Sequence, residues 1–276
     1  MLMLAYWTHN LSPFVPYLKF SETFGVHWYG LAYVLGFVGA LWLLHRYTRA
    51  GYSRLTSEQN NDLLIAIVIG VMLGGRLGSF LLYNPDQLLK NPLSFFKIWE
   101  GGMASHGGFI GVAIALAWFA RRVKVPFLHL GDLIVSAAPL GLMLGRIANF
   151  INGELWGNTF VQTPAPWWGV IFENTGGGPL PRHPSQLYEA LLEGAILLAY
   201  LQHRVWRNRI LTTRTGQLSA EFLIGYAIAR IICELYREPD ATLIWNTFSR
   251  GTFYSFFVLI AGVALLLYVR RPRPAK

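Results

Sequence analysis

Seven apolar segments, near residues 27–45, 61–83, 105–120, 131–151, 186–203, 219–237 and 252–269, are each close to the length of a membrane-crossing helix. Crossing the hydrocarbon core of a bilayer takes roughly 20 apolar residues. Lipid offers no partner for a bare N–H or C=O, so such segments are helical or belong to closed barrels. The composition agrees with this reading: 54% of the 276 residues are hydrophobic and 13% are charged. The expected fold is therefore an all-α integral membrane protein with seven transmembrane helices, forming one polytopic domain over residues 1–276. Connections at 84–104 and 152–184 are long enough to house function. No basic region precedes an uninterrupted apolar run at the start, so no cleaved signal peptide is expected and the first span carries the targeting.

A formal charge of +9 would suit a nucleic-acid binder, but the positions of the 23 basic residues argue otherwise. Fourteen of them flank alternate connections: Arg46, Arg49 and Arg54; Arg121, Arg122 and Lys124; Arg204, Arg207, Arg209 and Arg214; Arg270, Arg271, Arg273 and Lys276. The opposite connections hold six: Lys19, Lys90, Lys97, Arg182, Arg237 and Arg250. The positive-inside rule puts the richer set in the cytoplasm. The N-terminus then lies outside, the C-terminus with its basic tail at 270–276 lies inside, and no nucleic-acid partner is needed. Cys233 is the one cysteine, so an internal disulfide or a paired-cysteine redox motif is excluded. No His, Cys and carboxylate group has metal-ligand spacing, and neither metal nor organic cofactor is expected.

Three arginines, Arg76, Arg146 and Arg230, stand inside apolar segments. A charge at that depth costs on the order of 3 kcal/mol and usually faces a partner or a cavity. Each could snorkel or form an internal ion pair; Arg230 has Glu234 at i+4 and Tyr226 at i−4. In GRIANFINGELWG, residues 145–157, Arg146, Asn149 and Gly153 would share one face if the helix continues, with Glu154 about a quarter turn away. His106, among the glycines of GGMASHGGFIGV, is the titratable group best suited to proton transfer near neutral pH, although a lone histidine is more often structural. Guanidinium favours bidentate contact with phosphate, and at this depth the abundant phosphate is that of lipid headgroups. From the residues alone, the chain draws a phospholipid into a polar cavity near the outer leaflet. Cys233, three residues after Arg230, reads as a small packing residue.

GRIANFINGELWG resembles the signature of the prolipoprotein diacylglyceryl transferase family. HWYGLAYVLGF (27–37), GGRLGSFLLYNP (74–85), WEGGMASHGGFIGV (99–112), RHPSQLYEALLEG (182–194) and FLIGYAIARIICELYREPD (222–240) resemble further blocks of that family, in order. The resemblance runs from about residue 20 to 270. It implies a seven-span enzyme of the bacterial cytoplasmic (inner) membrane, open to the bilayer and to the periplasmic side. Such an enzyme moves diacylglycerol from phosphatidylglycerol to the thiol of the lipobox cysteine in prolipoprotein signal peptides. The products are a thioether and glycerol 1-phosphate, in the first step of lipoprotein maturation. By motif, the resemblance implies catalytic roles for His106, Arg146 and Arg230. It implies cavity or phosphatidylglycerol-binding roles for Arg146, Arg230, Asn149, Glu154, Gly157, Tyr29, Tyr226 and Glu234. Ser79 stands where the family often has an aromatic, and Gly251-Thr252 replaces a frequent Gly-Gln pair, which affects local detail at the cavity wall and the 238–252 loop.

Two other classes fit less well. A flippase would bind and release phosphate without breaking a bond, but its usual paired repeats are not visible. An intramembrane protease would need a Ser/His or paired-Asp site; Ser105 beside His106 lacks a G-x-S-x-G context, and Asp62 and Asp132 lie toward the opposite face.

Overall fold

The computed structural model describes residues 6–21, 24–82, 91, 94–95, 102, 104–162, 164–239 and 242–271, with the backbone alone for Leu82, Ser105 and His106. Its helices are α1 (Trp28–Arg49), α2 (Ser57–Leu82), α3 (Ser105–Val123), α4 (Phe127–Asn152), α5 (Ser185–Glu189), α6 (Leu197–Trp206), α7 (Ile210–Thr213), α8 (Gln217–Glu234) and α9 (Arg250–Arg270). A π-helical segment, Ala190–Ile196, joins α5 to α6, so residues 185–206 form one helical run. Every apolar segment of the sequence thus falls largely within a helical stretch. Four of the helices, α1, α2, α4 and α9, are long and apolar enough to cross a membrane. The other three stretches are less uniform. The π segment interrupts one of them beside two buried glutamates, and α8 carries Glu221, Arg230 and Glu234.

Among the described residues, five short strands lie outside the helices, three before α1 and two between α4 and α5, which the apolar pattern of the helices does not forecast. β1 (Trp7–Thr8) pairs in parallel with β4 (Val170–Phe172), which pairs antiparallel with β5 (Gly178–Arg182). β2 (Phe14–Lys19) and β3 (Gly25–His27) form a separate antiparallel pair. The 84–104 connection lies mostly outside the described residues.

The chain divides into two compact units, Leu41–Leu133, and Met1–Ala40 with Ile134–Lys276. In the first, α2 and α3 lie backbone to backbone, because a Cβ on Gly74 would run into the Gly107 carbonyl. Small residues allow this approach, which supplies the packing that lipid cannot drive by hydrophobicity. Arg76 of α2 is 5% exposed. Its Nε donates to the Phe95 carbonyl (2.9 Å), Nη1 to that of Gly102 (3.2 Å) and Nη2 to that of Ser94 (2.5 Å). Its guanidinium also lies 4.9 Å from the Phe80 ring centre.

In the second unit, α8 and α9 pack closely at Gly262, where a Cβ would meet the Ile224 backbone nitrogen at 3.0 Å. Gly194 of the π segment lies against Met143 of α4 in the same way. Through these approaches the helices bring together the long side chains of α4, of the 185–206 run and of α8.

Candidate functional site

α4 ends at Asn152. Gly153 takes φ +68°, and a Cβ there would meet Thr175 and His9, so glycine is required for both reasons. The helix therefore ends one residue short of Gly153, and of the expected face only Arg146 and Asn149 lie on it. The chain folds back, and Glu154 comes under the helix end: Asn149 Nδ2 donates to Glu154 Oε1 (3.0 Å), and Asn152 Nδ2 approaches the same oxygen at 3.4 Å. Asn149 Nδ2 also contacts the hydroxyl of Tyr29. Tyr29, Asn149 and Glu154 thus form one polar chain, with Asn149 buried.

The turn is tied down from two sides. Ser185 Oγ donates to the Leu155 carbonyl (3.1 Å) and Gln186 Nε2 to that of Glu154 (2.6 Å). Gly157 N–H donates to the His183 carbonyl (2.9 Å), and Asn158 N–H to that of Tyr236 (2.9 Å). Gly157 has no room for a Cβ between those two carbonyls, so its part is to let three segments meet rather than to touch a ligand with a side chain. His183 lies 3.8 Å, centre to centre, from the Phe160 ring. Burial pushes its imidazole below the ordinary value, which keeps it neutral at physiological pH.

Arg146 and Arg230 converge on the same two carboxylates, Glu189 and Glu193, both with fully buried side chains. Arg146 Nη1 is 3.2 Å from Glu189 Oε2, and its Nη2 is 3.5 Å from Glu193 Oε2. Arg230 pairs with Glu189, with Glu193 at 3.4 Å and with Glu234 of its own helix. Arg237 completes the group, its Nη1 2.9 Å from Glu189 Oε1. Glu234 also accepts from the hydroxyl of Ser249, which caps α9 by accepting from Thr252 N–H (3.0 Å). Gly251-Thr252, which departs from the pattern of the resembled family, stands in the first turn of α9 rather than in a loop and is thereby tied to the cluster. The hydroxyl of Tyr226 is within electrostatic reach of Glu193, Arg230, Arg146 and Glu189.

Exposure separates the arginines. The side chains of Arg146 and Arg230 are 17% and 12% exposed, and that of Arg237 is 4% exposed. The side chains of Arg146 and Arg230 therefore keep some accessible surface, and that of Arg237 is enclosed. Beside them, a cavity of about 400 Å³ is lined chiefly by apolar and aromatic side chains, among them Trp168, Tyr188, Leu192, Ile232, Cys233 and Tyr236. Cys233 is buried there, in keeping with a packing role.

The structure brings together Tyr29, Asn149 and Glu154, and likewise Arg146, Arg230 and Glu234 with Tyr226 nearby. His106 opens α3 in the other compact unit, and its side chain lies outside the described residues. The sequence reading missed Glu189, Glu193 and Arg237. The two glutamates stand four apart inside an apolar segment, the same signal that singled out the arginines. Arg237 had been counted as a flanking loop charge, whereas it is buried against Glu189.

Residues 17–268 match the family model described as prolipoprotein diacylglyceryl transferase. The chain is 45% identical over 253 residues to the phosphatidylglycerol–prolipoprotein diacylglyceryl transferase of Gluconobacter oxydans (strain 621H), covering 91% of this chain and 90% of that protein. It is 41% identical over 287 residues to the enzyme of the same name from Proteus mirabilis (strain HI4320), covering 93% and 95%. The corresponding protein of Rhodospirillum rubrum is 41% identical over 262 residues, covering 94% and 93%. The chain belongs to the prolipoprotein diacylglyceryl transferase family.

Proposed function

Taking that membership as the premise, we propose that the protein is a phosphatidylglycerol–prolipoprotein diacylglyceryl transferase of the bacterial inner membrane. It is a polytopic membrane protein with seven spans, its N-terminus and active site toward the periplasm. The acceptor is the thiol of a lipobox cysteine. Its sulfur attacks the glyceryl carbon bonded to the headgroup phosphate, a carbon–sulfur bond forms, and the carbon–oxygen bond to phosphate breaks. Glycerol 1-phosphate leaves with the electron pair of that bond.

The observation that carries this reading is the convergence of two arginines with partly exposed side chains, Arg146 and Arg230, on shared carboxylates. A carboxylate partner can be exchanged for a phosphate oxygen, since both suit the planar fork of arginine. In the transition state the leaving phosphate gains charge, and donors already in place stabilise it without reorganising. Tyr29, Asn149 and Glu154 hold the turn that closes the site, and Tyr226 and Glu234 line it. The apolar cavity beside Ile232 and Tyr236 suits an acyl chain of the lipid. A thiol reacts as thiolate, and His106 is assigned to that proton. His106→Ala is accordingly expected to lower transfer by about 100-fold, within the range for loss of an acid–base group.

The test is a transfer assay with purified protein, phosphatidylglycerol and a lipobox peptide bearing Cys or Ser, following lipidated peptide and glycerol phosphate together. Product from the Cys peptide alone, with equal glycerol phosphate, is the expected result. Lipid moving between leaflets with no glycerol phosphate released would overturn it.

A further inference from the structure

The ion pairs around Arg146 and Arg230 are balanced before any substrate arrives. Arg146, Arg230 and Arg237 face Glu189, Glu193 and Glu234, so the fully ionised cluster is formally neutral. A phosphodiester headgroup brings one more negative charge into it. In a buried setting an uncompensated charge is far more costly than in water. Something in the cluster must therefore lose a negative charge as the lipid enters.

The three carboxylates are not held alike. Glu189 faces all three arginines. Glu234 is held by Arg230 and accepts from the Ser249 hydroxyl. Glu193 is fully buried, its Oε2 like that of Glu189 has no hydrogen-bond partner among the described residues, and its guanidinium contacts, 3.4 and 3.5 Å, are the longest of the three. Facing it are Arg146 from α4, Arg230, Tyr226 and Cys233 from α8, and Glu189 from its own helical run. Of the three, Glu193 gives up least by ceasing to be an anion, because its ion pairs are the longest.

We propose that Glu193 sets the charge of the headgroup site, taking up a proton from solvent as the lipid phosphate enters. The inference rests on the reading of Arg146 and Arg230 as the phosphate clamp. With Glu193 neutral the cluster carries one net positive charge, which a singly charged phosphodiester cancels. A doubly ionised phosphate monoester leaves the same cluster net negative. Glu193 therefore favours phospholipid entry over retention of the glycerol phosphate product.

The experiment is calorimetric titration of a short-chain phosphatidylglycerol into the purified full-length protein near neutral pH. Two buffers of different ionisation enthalpy give the proton count. The wild type is expected to take up about one proton per lipid bound, with affinity falling about tenfold for each unit of rising pH at the alkaline end. Glu193→Gln keeps the shape without the charge, and is expected to bind with no proton uptake and a flat pH profile. Wild-type binding without proton uptake would overturn the proposal, as would equal uptake by Glu193→Gln. The wild-type count decides by itself if the variant does not fold. No binding of phosphatidylglycerol to the wild type would instead sink the clamp reading.

Discussion

The Arg76 site and the Arg146/Arg230 site start from the same sequence signal, a charged residue among glycines in an apolar helix, and resolve it in opposite ways. Arg76 donates to the backbone carbonyls of Ser94, Phe95 and Gly102, and lies over the Phe80 ring. Those carbonyls are neutral and fixed to the chain, so these bonds clip Ser94, Phe95 and Gly102 to α2. Arg146 and Arg230 face carboxylates of other helical elements and keep part of their surface accessible. What an arginine at membrane depth does is thus read from its partner. Backbone carbonyls point to fixing of structure, and shared carboxylates beside an opening point to an anion site.

If that distinction holds, substitutions at the two places fail differently. Arg146→Ala or Arg230→Ala is expected to lower transfer by about 100-fold or more, the scale of a lost oxyanion donor. The measurement is the initial rate of glycerol phosphate release by folded protein. Arg76→Ala is expected to destabilise by about 3 kcal/mol, because it frees buried carbonyls from a charged donor. It should appear as a lower melting temperature, with the KM for phosphatidylglycerol unchanged in the surviving fraction. Arg76→Lys should recover only part of the loss, since an ammonium cannot serve three carbonyls in fork geometry. A raised KM in Arg76→Ala with normal melting would erase the distinction.

Much of this was legible in the sequence. Apolar segment length marked the helical stretches, whereas the polar face expected to continue to Gly153 is cut short, because α4 ends at Asn152 and Gly153 turns the chain. Arg146, Asn149 and Glu154 stood out as polar residues beside hydrocarbon-like sequence. Glu189 and Glu193 carried the same mark yet were passed over, because only their partners on α4 and α8 give them meaning. Arg237 could not be told from a loop charge, since its burial depends on the chain turning back after α8 to meet Gly157. The β4 and β5 strands, set among Pro and Gly residues, exist through pairing with each other and with β1, which no local pattern encodes.

Smaller effects sharpen the same picture. The imidazole of His183 is held below its ordinary value by burial, so the folded state binds fewer protons there than the unfolded chain. Its contribution is present above an unfolded value of about 6.5 and is lost as pH falls through the lower folded value. Melting temperature is therefore expected to drop modestly under mild acid, and His183→Phe to reduce that drop. Cys233→Ala removes a small buried group that the reaction does not use. It is expected to cost about 1 kcal/mol or less and to leave transfer within about twofold of wild type.

The most direct test compares Arg146→Ala with Arg76→Ala in one binding experiment, using a short-chain phosphatidylglycerol and folded, purified protein. The expected result is that Arg146→Ala no longer binds the lipid at concentrations that saturate the wild type, while folded Arg76→Ala binds it normally. Wild-type affinity in Arg146→Ala would contradict the central claim that the carboxylate-partnered arginines are the phosphate site.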